Sequence, residues 1–273
     1  MRNKRFVRPI SSLRILTALS LLAVSCAPVP AWRAAFFNAG QNWQLEGQDF
    51  STWSTILGDG ACNAKGERPA GQGDVSTIHH GGFSTLEANP HGRKIQAHNL
   101  TYLSAVNFNA LEFAHRYSFA FRIPSLPVKD KPETYVQNLE GSIQLWDGAG
   151  SRRDLIVAFS WVLNPFAGPG TIQTWRADDD AGHWEDAGFL ALDTQWHRAE
   201  LRIDPRSSRA EVLIDGLPVA AHFARTRRPD GWDFQRVARV TIEGSSVWVC
   251  NGGQGMPMRA EFKDWNWFWD WGR

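Results

Sequence analysis

Asn138–Asp147 is the stretch whose residue types and spacing bear most directly on chemistry. With the two-residue period of an extended strand, Ile143 and Leu145 point one way, while Glu140, Ser142, Gln144 and Trp146 point the other. A carboxylate, a hydroxyl, an amide and an indole in one row suit a sugar groove. The polar groups can bond hydroxyls and the indole can stack on the apolar face of a ring. A solvent-facing strand with Trp146 tucked under a loop would show the same pattern. Trp175 joins the set because it shares its side with Thr171 and Gln173, opposite Ile172. Ala158 and Ser160 are small enough to leave room beside them. The candidate ligand-binding residues are therefore Glu140, Ser142, Gln144, Trp146 and Trp175. No catalytic residue follows from residue types alone.

Other clusters carry less. Trp265, Trp267, Trp269 and Trp271 recur at a spacing of two and so share one side of a closing strand. They could form an aromatic platform, but four large apolar side chains in line more often build a core. Asp178-Asp179-Asp180, with Glu185 and Asp186 nearby, offers oxygens of the kind calcium takes. Runs of loop acids are ordinarily just solvated, and the Asp-x-Asp-x-Asp-Gly spacing is absent. No metal and no cofactor are therefore assigned. The eight histidines are scattered, and none has a Ser or Cys nucleophile at motif spacing.

These side chains need strands to position them, and strands are what the chain supplies. Arg116–Ile123, Leu155–Leu163 and Arg198–Asp204 alternate apolar and polar residues, as does Glu211–Asp215 after a Pro/Ser turn. Val237–Glu243, Val247–Cys250 and Ala260–Trp271 are further candidates. Strands with one apolar side need a facing sheet, which predicts an all-β fold with two antiparallel sheets packed face to face. No linker interrupts the pattern, so residues 34–273 read as a single domain. The composition is ordinary for a globular protein at 43 % hydrophobic and 21 % charged. Five of the 29 basic side chains fall in residues 1–25, with no acid there, so the remainder carries a net charge of −4. That argues against a nucleic-acid partner, which would need a basic footprint.

The same basic start, followed by an apolar run from Ile15 to Val24, reads as a signal peptide over residues 1–25. Ten helical residues span about 15 Å, half a bilayer core, so the run is too short to cross a membrane. Leu22-Ala23-Val24-Ser25-Cys26 resembles the lipobox of bacterial lipoproteins, with Ala23 where that family usually has Leu. The resemblance implies an acylated Cys26, a tether over residues 26–33 and a lipid-anchored location in the bacterial cell envelope. Cleavage after Val29-Pro30-Ala31 would instead release a soluble secreted or periplasmic protein. Cys62 and Cys250 remain as an even pair in an oxidising compartment, where a disulfide is the default.

Trp196–Asp204, followed by Glu211–Gly216, resembles the laminin-G and concanavalin A-like lectin/glucanase superfamily. Those jelly rolls carry a Trp-initiated strand, a short turn, and a strand ending in Asp-Gly; Ala260–Trp265 is similar to their closing strand. The resemblance implies a two-sheet antiparallel jelly-roll sandwich. The glucanases of that superfamily carry Glu-x-Asp-x-x-Glu on one strand, but here Ser142 and Gln144 follow Glu140 and the partner carboxylate is missing. Asp147 has the wrong parity unless a bulge re-aims it. Gln144-Leu145-Trp146 puts Trp where alginate lyase-like members have His. The expectation is a surface-anchored, lectin-like protein that binds a poly- or oligosaccharide. The alternatives are a polysaccharide lyase or glycoside hydrolase of the same fold, and a structural adhesion module with a protein partner.

Overall fold

The computed structural model describes residues 43–58, 65–93, 95–106, 113–127, 136–146, 155–164, 168–177, 182–207, 209–223, 239–249 and 257–270. Cys26, Cys62, Cys250, Asp178–Asp180 and Trp271 lie outside these residues. Fifteen strands form among the described residues: β1 (Trp43–Gly47), β2 (Ser54–Leu57), β3 (Val75–His79), β4 (Ser84–Ala88), β5 (Ala97–Val106), β6 (Ala114–Arg122), β7 (Val136–Trp146), β8 (Leu155–Val162), β9 (Thr171–Ala177), β10 (Gly182–Phe189), β11 (His197–Asp204), β12 (Arg209–Ile214), β13 (Leu217–Phe223), β14 (Arg239–Val249) and β15 (Met258–Asp270). They build two sheets. One runs β13-β12-β11-β6-β15-β4-β3, with β1 also on β15; the other runs β10-β9-β8-β7-β14-β5-β2. Among the described residues the strand pairs are all antiparallel. These are the two antiparallel sheets that the alternating pattern predicts, arranged as the jelly-roll sandwich that the resemblance implies.

The core lies between the sheets and is strongly aromatic. Tyr117, Phe119 and Phe121 of β6 and Phe262 and Trp267 of β15 meet Leu139, Ile143 and Leu145 of β7 and Phe159 and Trp161 of β8. Buried indoles need a partner for their N–H. Trp161 Nε1 donates to Leu190 O at 3.1 Å, and Trp265 Nε1 donates to Asp49 O at 2.7 Å. Trp265, Trp267 and Trp269 are all within 5 % of full burial, so this part of the tryptophan ladder is core.

Three details differ from the alternation read in the sequence. The two runs Val237–Glu243 and Val247–Cys250 merge into one strand, β14, because Gly244 in its middle still pairs in register with Gly141. β15 changes parity partway: Ala260 and Phe262 face the core, then Trp265 and Trp267 do. A bulge between Lys263 and Asn266, with Asp264 at a φ of 50°, supplies the extra residue. Glu185 and Asp186, read as a solvated loop, belong to β10, an edge strand too exposed to show an apolar face.

Candidate functional site

The outer face of the seven-stranded sheet carries the polar row of β7. Ile143 and Leu145 are fully buried in the core, so Glu140, Ser142 and Gln144 point away from it. They are nevertheless recessed, with Ser142 at 6 % and Gln144 at 7 % exposure, and Ser160 of β8 and Ser245 of β14 lower still. Trp146 ends β7, and its side chain lies outside the described residues.

A pair of glycines sets the floor. Gly141 and Gly244 face each other across β7 and β14, with their missing side chains aimed at the opposite sheet. A Cβ on Gly141 would sit 2.4 Å from Phe119 Cζ, and one on Gly244 would sit 2.7 Å from Phe50 Cε2. The core rings therefore press directly against the backbone that carries the site.

Register then assembles two rows across the strands. Glu140 stands opposite Ser160 on one side and Ser245 on the other, while Ser160 stands opposite Gln173 and Gln173 opposite Asp186. At about 4.8 Å per strand, this row from Asp186 to Ser245 covers about 19 Å. In the second row Ser142 stands opposite both Ala158 and Glu243, and Glu243 opposite Tyr102 of β5. Trp175 of β9 opposes Trp184 of β10, and their rings meet edge to face at 5.3 Å. Gly182 makes space for this, since a Cβ there would fall 2.0 Å from the Trp175 ring. The second row thus has aromatic groups at both ends, with Ala158, Ser142 and Glu243 between them.

Glu243 is the residue that reading the sequence misses. It comes from a strand about a hundred residues further on, and only the β7–β14 register shows that it sits diagonally across from Glu140. Diagonal neighbours on an antiparallel pair have Cα atoms about 7–8 Å apart. The statement that Glu140 lacks a carboxylate partner is therefore corrected: none follows on its own strand, but the next strand supplies one.

The two carboxyl groups sit in different surroundings. Glu243 Oε2 accepts hydrogen bonds from Ser142 Oγ at 2.6 Å and from Gln144 Nε2 at 2.7 Å. Glu140 Oε1 accepts one from Ser160 Oγ at 3.1 Å. Burial pushes the Glu140 carboxyl up to about 7 from its ordinary 4.5; hydrogen bonds from Ser160 and Asn138 oppose the rise, and the negative charge of Glu243 adds to it. Asn138 Oδ1, two residues before Glu140 on the same side of β7, is buried with no hydrogen-bond partner. The face therefore offers a carboxyl pushed up to about 7, a second carboxyl whose Oε2 accepts two hydrogen bonds, and an unmatched acceptor. Among the described residues no group of three or more His, Cys, Asp or Glu side chains could hold a metal ion.

A scan against known protein families finds no match, and a search of curated proteins finds none either. Solved structures do match. The lectin I of Ulex europaeus, determined in complex with the methyl glycoside of α-L-fucose, aligns with a TM-score of 0.54 and 11 % identity, over 84 % of this chain and 98 % of the lectin chain. A native glycosidic hydrolase aligns with a TM-score of 0.50 and 10 % identity, over 86 % of this chain and 98 % of its own. At such identities the likeness is one of fold, and the fold is a concanavalin A-like jelly roll.

Proposed function

We propose that this protein binds a polysaccharide across the outer face of the seven-stranded sheet and hydrolyses it, with Glu140 as the proton donor and Glu243 as its carboxylate partner. The observation that carries this reading is the carboxyl pair itself: Glu140 is pushed up to about 7, with the charge of Glu243 adding to the effect of burial. Glycoside hydrolysis needs one carboxyl protonated to release the leaving oxygen. It needs a second, ionised, to attack the anomeric carbon or to activate a water. The Trp175–Trp184 pair and Tyr102 can stack on sugar rings on either side of the pair. That a glycosidic hydrolase and a lectin bound to a fucoside share the fold is in keeping with a glycan ligand. Glu243 and Asp186 would repel the uronate carboxylate that a lyase must bind, which favours hydrolysis over elimination.

Binding without cleavage is the second reading. It is favoured by the engagement of Glu243 with Ser142 and Gln144, which suits an acceptor for sugar hydroxyls as well as it suits catalysis. Release of reducing ends from a polysaccharide by the wild type, lost in Glu140→Gln, distinguishes the two. Binding that persists in a protein releasing no ends supports the second. We also infer that residues 1–25 direct export and that an acylated Cys26 anchors the chain in a bacterial cell envelope through the 26–33 tether. Fatty-acid labelling that Cys26→Ala abolishes is the expected result.

A further inference from the structure

The eight-stranded sheet has a cavity of its own on its outer face, of about 550 Å³, within the range of small-ligand sites. Its floor is a row in register over four strands: Glu211 of β12 opposite Arg202 of β11, Arg202 opposite Arg116 of β6, and Arg116 opposite Phe268 of β15. Two arginines directly opposite each other destabilise a sheet unless something lies between them. Arg202 is well supplied, with Glu200 at 2.6 Å and Glu211 at 3.2 Å. Arg116 meets Glu200 only at 4.0 Å, is half exposed, and lies with its guanidinium 5.2 Å from the centre of the Phe268 ring. Arg209 closes one side through its ion pair with Glu211.

The geometry points to a second saccharide site here, on the opposite side of the molecule from Glu140 and independent of any chemistry there. The half-exposed Arg116 guanidinium lies over the Phe268 ring, and the pair can support one sugar ring. The arginines offer donors and the neighbouring carboxylates offer acceptors, matching hydroxyl groups that both accept and donate. Three arginines in the lining are balanced by Asp204, Glu211 and Asp270, so an anion gains no net attraction. The ligand class is therefore a neutral glycan. The row covers about 14 Å, enough for a short run of sugars lying across the strands. A polysaccharide held here as well as at the Glu140 face would gain from effective concentration without any new chemistry.

The test is native gel electrophoresis through gels containing β-glucan, mannan, starch or polygalacturonate, comparing the wild type with Phe268→Ala, Arg116→Gln and Glu140→Gln. Thermal unfolding confirms that each variant is folded, and Arg116→Gln serves if Phe268→Ala is not. The expected result is that at least one neutral polymer retards the wild type. Each outer-face variant should then weaken that retardation by about fivefold or more, the size of one lost aromatic or polar contact. Equal retardation of the wild type and the outer-face variants, retardation by polygalacturonate alone, or no retardation by any polymer would overturn the site. The hydrolysis reading fails separately: a wild type that releases no reducing ends, while Phe268→Ala still loses retardation, leaves this site standing.

Discussion

Replacing Glu140 with Gln should make the protein more stable at pH 8 while abolishing the hydrolysis proposed for it. Glu140 titrates near 7 in the folded chain against 4.5 ordinarily, so the folded state holds a proton that the unfolded state releases between those values. Stability therefore falls as pH rises from 4.5, by about 1.4 kcal/mol per unit, and levels off once pH exceeds the folded value. The full span corresponds to about 3 kcal/mol. Glu140 is recessed but not fully buried, so solvent screening reduces the cost to about 1–2 kcal/mol. Gln has the same shape and keeps an oxygen for the Ser160 hydroxyl, but carries no charge to bury. Urea unfolding of the wild type and Glu140→Gln at pH 4 and pH 8 measures the difference directly. The expected outcome is near-equal stability at pH 4 and a variant more stable at pH 8. A variant less stable at pH 8, or a gap independent of pH, would show that Glu140 carries no raised pKa in the folded chain.

His197 provides a second titration in which stability falls as pH rises, here because its charged form is the one the fold holds. Burial opposes its charge, but Asp215 at 2.7 Å on Nδ1 and Asp193 at 3.0 Å on Nε2 outweigh that and raise its pKa above 6.5. The stabilisation is complete below 6.5 and is lost as pH rises through the raised value. Asp215→Asn should therefore cost about 1–3 kcal/mol at pH 6 and less at pH 9, as followed by thermal melts. Asn also tolerates the φ of 50° at this position. Gly141→Ala should cost about 1–3 kcal/mol by overpacking Phe119 and should lower turnover through displacement of Glu140; calorimetry and a rate assay report both. Cys62 and Cys250 should be joined by a disulfide, so thiol titration of the denatured, unreduced protein should find neither free.

Much of the sandwich was legible because its strands alternate strongly. The core positions of β7, β8 and β11 follow from a period of two, and Leu155, Val157, Phe159 and Trp161 are buried together as that period requires. The same period placed Glu140, Ser142 and Gln144 on one face. What it could not give is which strand lies alongside. Pairing of β7 with β14 joins residues about a hundred positions apart, and a shift of one residue in that register would turn Glu243 into the core. Asp186 was hidden for a different reason: β10 is an exposed edge strand with no apolar face to read. The parity change in β15 was hidden too, because a single bulge residue leaves no mark in composition.

Glu140 and Glu243 are proposed to act together on a glycosidic bond. The most direct measurement is the release of new reducing ends from a panel of neutral polysaccharides by wild type, Glu140→Gln and Glu243→Gln at equal protein concentration. The expected result is ends from the wild type and a loss of at least about a hundredfold in each variant, the usual contribution of a proton donor or its partner. A wild type that binds a polymer in the panel and releases no ends from it, or a Glu243→Gln that cleaves as fast as the wild type, would contradict it.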